Sequence, residues 1–448
     1  MAVDPSGQAG SAASFAAALR IWWKVAMLSF GGPAGQIAVM HRIFVDEERW
    51  VSESRFLHAL NYCMLLPGPE AQQLTTYVGW LQHGWRGGLA AGLLFVLPGF
   101  LSILLLSVLY AGFQGFTLVD ALFFGLKPAV MAVVVQAVIR IGRKALKNGV
   151  MVGLAAASFA AIFLFEVPFP FIVIVAAVLG LVGGRVWPAW FLVVRGDAEP
   201  MTSLRSETRP SSARAVRVAL LWLTIWLAPL AVLGAVLGGN HVFVQEGVFF
   251  GQAAVVTFGG AYAVLAYVAQ KAVETFGWLQ PGEMLDGLGM AETTPGPLIQ
   301  VVQFVGFMAA YRNPGTLDPM LAGVIGSLVV TWVTFAPCFL WIFLGAPYIE
   351  YLRGHKGLSC ALSAITAAVV GVILNLAVWF SLHTLFAEVN EQHVSGLRLL
   401  VPEWGSLDLA AAVIAAGAFL ALFRFKLSML RTLGISVAAG AAWFALRG

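Results

Sequence analysis

The stretch Leu66-Pro67-Gly68-Pro69, followed by Glu70-Ala71-Gln72-Gln73, decides how this chain folds. Proline cannot donate a backbone hydrogen bond and disfavours helix at the residue before it, glycine permits a turn, and a proline suits the start of a new helix. The stretch therefore predicts a helix that breaks at Gly68 and restarts near Glu70. The restarted helix presents free backbone N–H groups and a partial positive charge, which together form an anion site.

The same arrangement recurs 228 residues further along the chain. Pro67-Gly68-Pro69 is answered by Pro295-Gly296-Pro297, and Ser29-Phe30-Gly31-Gly32 by Thr257-Phe258-Gly259-Gly260. After an insertion near Arg312 the offset becomes 239, which pairs Pro98 with Pro337 and Gln136 with Asn375. Such self-similarity indicates a duplication.

The composition places these motifs in a membrane protein. Of 448 residues, 60% are hydrophobic and 11% charged, with a mean hydropathy of +0.87. A soluble domain carries roughly 25% charged residues, so soluble and disordered proteins are excluded. We find thirteen apolar segments, which lack the alternation of an outer-membrane barrel. The net charge of +4 comes without a basic arm, so no nucleic-acid partner is expected. Three widely spaced cysteines are expected to be buried thiols.

Basic loops predict the topology, because short cytoplasmic loops collect Lys and Arg. The loop 140–147 and the linker 195–217 are basic and are predicted inside, whereas the loop 240–246 is predicted outside and Lys271 inside. We count each Pro-Gly-Pro region as one crossing in preference to a re-entrant loop. The N-terminus is then cytoplasmic, the C-terminus periplasmic, and the two halves are inverted.

The predicted fold is an all-α polytopic membrane protein. Two inverted-topology repeats of about six helices each are joined by an extra helix, with broken helices at the Pro-Gly-Pro motifs. Residues 1–194 form the N-terminal repeat, 195–240 a cytoplasmic linker plus the extra transmembrane helix, and 241–448 the C-terminal repeat.

Inverted repeats with paired broken helices are the architecture of secondary transporters, whose site lies near the midplane between the repeats. An anion channel is an alternative, although it would need a continuous polar path. An intramembrane enzyme is a second alternative, but no Gly-x-Ser-x-Gly or His-Glu-x-x-His motif is present. No phosphate-binding Gly-x-x-x-x-Gly-Lys-Ser/Thr loop occurs, so an ion gradient or exchange is expected to drive transport. No metal or other cofactor is expected.

The ordered motifs resemble those of the chromate ion transporter family over essentially the whole chain. They are Ser29-Phe30-Gly31-Gly32-Pro33, Leu66-Pro67-Gly68-Pro69, Phe258-Gly259-Gly260 and Thr294-Pro295-Gly296-Pro297, with Ala261 standing where the first half has Pro33. The resemblance implies export of chromate from a bacterial cytoplasm through the inner membrane, which confers chromate resistance. Sulfate is a tetrahedral dianion of similar size, so it remains an alternative substrate. The bilayer is the other expected partner, and assembly as a homodimer is left open.

Candidate site residues follow from these motifs and from rare charges in apolar helices. Lys127 lies within an apolar helix, where a charge is costly and functional by default, and its alternative is snorkelling to the interface. Lys24, on the first helix, is a second candidate, and snorkelling to the interface is again the alternative explanation. Glu70 and Glu292 flank the breaks and are candidates for proton coupling, although Glu70 could simply complement its helix dipole. The full set of substrate-binding candidates is Lys127, Lys24, Gly31, Gly32, Gln36, Gly68, Pro69, Gln72, Gly259, Gly260, Gly296, Gln300 and Asn375.

Overall fold

The computed structural model describes residues 14–30, 32–113, 116–191, 211–258, 261–280, 282–348, 356–394 and 396–447. Within them, seven helices are long and apolar enough to cross a membrane. The described part of the chain is almost wholly helical, as predicted.

In the described part of the first half, eight α-helices precede the linker. They are α1 (Phe15–Leu28), α2 (Gly32–His41), α3 (Glu53–Leu65), α4 (Glu70–Gly112), α5 (Thr117–Ala145), α6 (Gly149–Phe165), α7 (Phe169–Val186) and α8 (Pro188–Phe191). A π-helical turn, Arg42–Glu47, extends α2. Helix α9 (Ser212–Leu237) is the extra helix expected between the halves, and little of it is buried.

The second half repeats this order. Its helices are α10 (Val242–Val256), α11 (Ala261–Gln270), α12 (Glu283–Thr293), α13 (Val301–Arg312), α14 (Pro319–Gly345), α15 (Lys356–Leu385), α16 (Leu409–Phe419) and α17 (Met429–Arg447). π-Helical turns at Lys271–Thr275 and Leu420–Arg424 extend α11 and α16. Short 3₁₀ turns lie at Leu298–Gln300, Ala346–Tyr348 and Trp404–Ser406.

A feature absent from the all-α prediction is a β-hairpin of strands β1 (Val389–Val394) and β2 (Leu397–Pro402), which pair antiparallel between α15 and α16. Arg398 of β2 is buried and contacts Glu166, Glu274 and Glu391. These ion pairs fix the hairpin on the loop after α6 and on the π-helical end of α11.

The helices beside the breaks fold back on themselves. In the first half, α4 bends at His83 and Gly84, whose backbone is non-helical, so that Gly79 lies against Gly87. His83 also contacts Phe15 at the start of α1, and Gln82 donates a hydrogen bond to the backbone oxygen of Trp50 just before α3. The ends of α1, α3 and the first part of α4 that are remote from the breaks therefore lie together. We call this the open end of the hairpin.

The second half folds back in the same way. Arg312, at the end of α13, donates to the backbone oxygen of Trp278 before α12, and Gly315 lies beside His241 at the start of α10. Helix α12 has 11 residues and α13 has 12, so each is about 17 Å long, well short of the 30 Å hydrocarbon core. The single-crossing interpretation of the Pro-Gly-Pro regions is therefore wrong, because each region is a helical hairpin that returns to the end it came from.

One predicted loop position changes as a result. Lys271 was predicted on the opposite side of the membrane from the 387–406 loop. Glu274, one turn after Lys271, instead accepts a hydrogen bond from Arg398 of that loop, with Nη2 and Oε1 2.6 Å apart.

The two halves interlock through glycine contacts. Helix α7 of the first half packs on α15 of the second, and α5 of the first half packs on α17. Gly180 lies against the backbone of Cys360 and Ala361, and Gly125 against the backbone of Ser436. Small residues at these contacts allow the helix backbones to approach closely, as is usual in membrane proteins.

Candidate functional site

The first predicted break is present where the sequence placed it. Leu66 ends α3 in an extended conformation, Gly68 has φ of +113°, and α4 begins at Glu70 behind Pro69. The second break is similar, with Gly296 at φ of +109°. It differs in restarting as the 3₁₀ turn Leu298–Gln300 before α13 begins.

Each break is hydrogen-bonded to the other half of the molecule. The backbone N–H of Gly68 donates to the oxygen of Thr257 at 2.8 Å, and that of Gly296 donates to the oxygen of Ser29 at 2.9 Å. Ser29 and Thr257 are equivalent positions, one before each Phe-Gly-Gly motif. Four hairpin tips, two from each half, therefore meet in one place, and the two bonds follow the internal symmetry.

Glutamine side chains complete the bonding of the broken backbone. Gln36 Nε2 donates to the oxygen of Gly296 at 2.7 Å, and Gln73 Nε2 donates to the oxygen of Pro67 at 2.7 Å. These carbonyls lack helical partners because the helices end there. The predicted residues Gln36, Gly68 and Gly296 are thus brought together, which sequence spacing alone could not establish.

Unpaired polar atoms remain around the tips. The amide oxygens of Gln72, Gln73 and Gln300 and the hydroxyl of Thr334 are buried and have no hydrogen-bond partner among the described residues. A buried polar group left unsatisfied costs about 1–3 kcal/mol, and more where no water enters. An amide can present either its oxygen or its NH₂ group after a flip. The cluster is therefore suited to holding a polar ligand.

A carboxylate stands beside the tips. Tyr262 donates a hydrogen bond to Oε1 of the buried Glu292, while Oε2 has no partner in the described part of the chain. A β-carbon added at Gly32 would lie 3.8 Å from the Tyr262 hydroxyl, so this pair faces the first Phe-Gly-Gly motif. The coupling candidate of the second half and the predicted binding motif of the first half are therefore adjacent.

Lys127 lies away from the tips and has a partner that the sequence analysis missed. Its ammonium is 3.4 Å from Oδ2 of Asp286 on α12. The hydroxyl of Tyr110 donates to the same oxygen at 3.0 Å and to Glu283 at 3.3 Å. Arg312 in turn makes two hydrogen bonds to Glu283. The sequence did contain a signal for this network: Glu283 and Asp286 lie three residues apart in an apolar helix, and so on the same face.

The other charged candidates lie elsewhere. Lys24 pairs with Glu47 at 2.7 Å in an exposed position, and this bond holds the pKa of the Glu47 carboxyl below its usual range. Asn375 of α15 lines a small cavity together with Arg398, and none of the residues lining this cavity belongs to either break. Glu70 occupies the first position of α4, partly exposed. Gly31, Gly259 and Gly260 lie outside the described residues.

The comparisons with known proteins agree with this architecture. A family model described as chromate transporter matches residues 16–181 and again 244–443. A chromate transport protein of Pseudomonas aeruginosa is 33% identical over 91% of this chain and 87% of its own length. A probable chromate transport protein of Synechococcus elongatus is 28% identical over 85% of this chain and 88% of its own. A chromate transport protein of Cupriavidus metallidurans is 27% identical over 78% of this chain and 78% of its own length. No solved structure matches.

Proposed function

Because the chain belongs to the chromate transporter family, we propose that it exports chromate from the bacterial cytoplasm across the inner membrane and so confers resistance to chromate. The observation that carries this proposal is the pair of cross-bonded breaks, Gly68 to Thr257 and Gly296 to Ser29. New helical segments begin at these breaks, and buried amides with unpaired oxygens lie beside them, where the two halves are in contact. Alternating movement of one half against the other would open this contact to each side in turn.

The proposed site holds a tetrahedral dianion by hydrogen bonds. The N–H groups of Gly68 and Gly296 are already used between the halves. The available donors are the first-turn N–H groups of α4 and of the turn Leu298–Gln300. The side-chain NH₂ groups of Gln72 and Gln300 donate to Thr76 and Gln303, and they turn towards the anion when these amides flip into the place of their unpaired oxygens. Pro69 fixes the start of α4. Gly31, Gly32, Gly259 and Gly260 allow the backbone to approach the anion, because they carry no β-carbon.

Glu292 supports proton coupling through simple electrostatics. An ionised carboxylate beside the tips repels a dianion, whereas a protonated one can donate its hydroxyl from the unpaired Oε2. Glu70, at the start of α4, is the second coupling candidate. Lys127 supplies positive charge to the anion, and Lys24, which is exposed on α1 five residues before Ser29, would attract it towards the tips.

The membrane potential favours the proposed direction. Moving one charge through 100 mV is worth about 2.3 kcal/mol, so a dianion leaving a negative interior gains about 4–5 kcal/mol per 100 mV.

The proposed orientation puts the N-terminus in the cytoplasm and the C-terminus in the periplasm, with domains at 1–194, 195–240 and 241–448. A reporter fused after Gly448 and active only in the periplasm tests this, and activity of a cytoplasmic reporter there would overturn it.

Everted membrane vesicles test the transport itself. Labelled chromate should accumulate when an inside-positive potential is imposed, unlabelled sulfate should compete, and Lys127→Ala should abolish uptake at normal expression. Lys147→Ala is the matched control, because that exposed lysine donates to the backbone oxygen of Arg143 at the end of its own helix and has no acidic partner among the described residues. Vesicles that move no chromate would refute the substrate, and wild-type uptake by Lys127→Ala would refute the role of that lysine.

A further inference from the structure

The acidic residues of α12 belong to the second half alone. Glu283, Asp286 and Glu292 stand where the first half, 228 residues earlier, has Arg55, His58 and Met64. All three carboxylates are buried. A duplication that places buried acids in only one of two equivalent hairpins gives that hairpin a separate task.

Both carboxylate oxygens of Glu283 have hydrogen-bond partners, whereas only one oxygen of Asp286 does. Glu283 receives two hydrogen bonds from Arg312 and one from the backbone N–H of Gln280. Asp286 is held through Oδ2 only, by Lys127 and Tyr110, and its Oδ1 has no partner among the residues described. The Asp286 side chain is 2% exposed and that of Lys127 is 33% exposed. The acid is thus enclosed, while its cation can be reached from outside the pair.

The pair also lies between the outer end of the hairpin and the tips. Six residues of helix separate Asp286 from Glu292, a rise of about 9 Å. On the other side, Glu283 and Arg312 close the open end of the hairpin. Lys127 thus contacts the stretch of α12 that lies between the tips and this open end.

Resting on the proposed function, we propose that Lys127 and Asp286 are a charge-exchange pair that couples one proton to each dianion. When the oxyanion arrives, the Lys127 ammonium leaves Asp286 for an anion oxygen. The carboxylate of Asp286, which has lost its ion pair but keeps its bond from Tyr110, takes one proton at Oδ1 from water that enters as the ammonium leaves. When the anion departs, Lys127 returns and Asp286 releases that proton. The charge moved with each dianion is then one instead of two.

The groups that face Asp286 come from every helix packed on α12. They are Lys127 from α5, Tyr110 from α4, Arg312 from α13 acting through Glu283, and Glu283 of α12 itself. Tyr110 is a donor to both acids, and Arg312 is bound to Glu283 at 2.7 Å. Arg312 is 25% exposed but is held by two hydrogen bonds to Glu283, whereas Lys127 is 33% exposed and has a single contact of 3.4 Å to Asp286, so Lys127 is the cation that can exchange partners more readily.

Chromate binding to the purified full-length protein tests the proposal, measured at alkaline pH where chromate is wholly dianionic. In the wild type the apparent Kd should rise with pH, by up to tenfold per pH unit for each coupled proton, and binding should take up protons from a dye-monitored weak buffer. Asp286→Asn should still bind chromate, but it should take up one proton fewer per chromate than the wild type, and its Kd should rise less steeply with pH. Glu246→Gln is the matched control, because Glu246 is equally buried but has no lysine partner among the described residues, and it should match the wild type in both.

A second variant separates exchange from a merely structural ion pair. The double variant Lys127→Gln/Asp286→Asn removes both charges, so a structural pair would let it regain thermal stability and transport together. Under the proposal it regains stability but not transport. An unchanged pH slope in Asp286→Asn, or transport by the double variant, would overturn the exchange pair while leaving chromate transport standing. A wild-type protein that binds no chromate would refute the proposed function instead.

Discussion

Replacing Gly296 by alanine adds one methyl group at the centre of the molecule, and the structure gives the cost in two parts. The φ of +109° is a conformation that L-residues rarely adopt, and holding it costs about 1–3 kcal/mol. The new β-carbon would also lie 3.0 Å from Cα and 3.2 Å from N of Gly99 on α4. These are helix backbone atoms that cannot rotate away, so overpacking adds about 1–3 kcal/mol. We expect Gly296→Ala to destabilise the protein by about 2–6 kcal/mol.

Two control variants separate these costs. Gly99→Ala makes the same close contact from the other side, since its β-carbon would lie 2.9 Å from the oxygen of Pro295, and its own φ is not positive. Gly277→Ala has a φ of +62° with no atom within 4 Å, so it tests backbone strain alone, at about 1–2 kcal/mol.

The assay is unfolding of the purified protein, followed by tryptophan fluorescence, together with chromate uptake by vesicles. The expected order of destabilisation is Gly296→Ala first, followed by the two controls, with uptake lost in Gly296→Ala because the bond from Gly296 N to Ser29 O is displaced. Wild-type stability and uptake in Gly296→Ala would refute the view that this break must approach α4 so closely.

Three further predictions concern other parts of the molecule. Tyr262→Phe removes the donor to Glu292, so it should destabilise the protein by about 1–3 kcal/mol and reduce uptake in vesicles; equal uptake would argue against a role for this pair. Because Lys24 lowers the pKa of Glu47, the pair stabilises the protein above the ordinary carboxyl pKa, and this stabilisation is lost as the pH falls through the lowered value. Since both groups are exposed, Glu47→Gln should change the thermal midpoint little at neutral pH and less in acid or high salt, and a large salt-independent change would contradict this. Cys63 and Cys338 are buried, so a maleimide should label them only after unfolding, and rapid labelling of the native protein would show that the tips open more widely than described.

The pattern of prolines and glycines was sufficient to predict the breaks, because these residues act through local backbone geometry. Gly68 and Gly296 have the positive φ that the motif requires, and the extra helix α9 lies between two similar halves. The prediction failed for the membrane crossings beside the breaks. The length of an apolar segment cannot distinguish one interrupted span from two half-length helices. The turn at His83 and Gly84 contains no proline from which it could have been predicted.

Composition, repeat offset and proline chemistry are local or statistical properties of the chain, so they were enough to predict a duplicated membrane protein with two broken helices. The partners of those elements could be identified only from the packed molecule. Gly68 bonds to Thr257, Gln36 to Gly296 and Lys127 to Asp286, across separations of 159 residues or more. The physical reason is that a buried polar group must find a partner in space, and the identity of that partner depends on how distant helices pack.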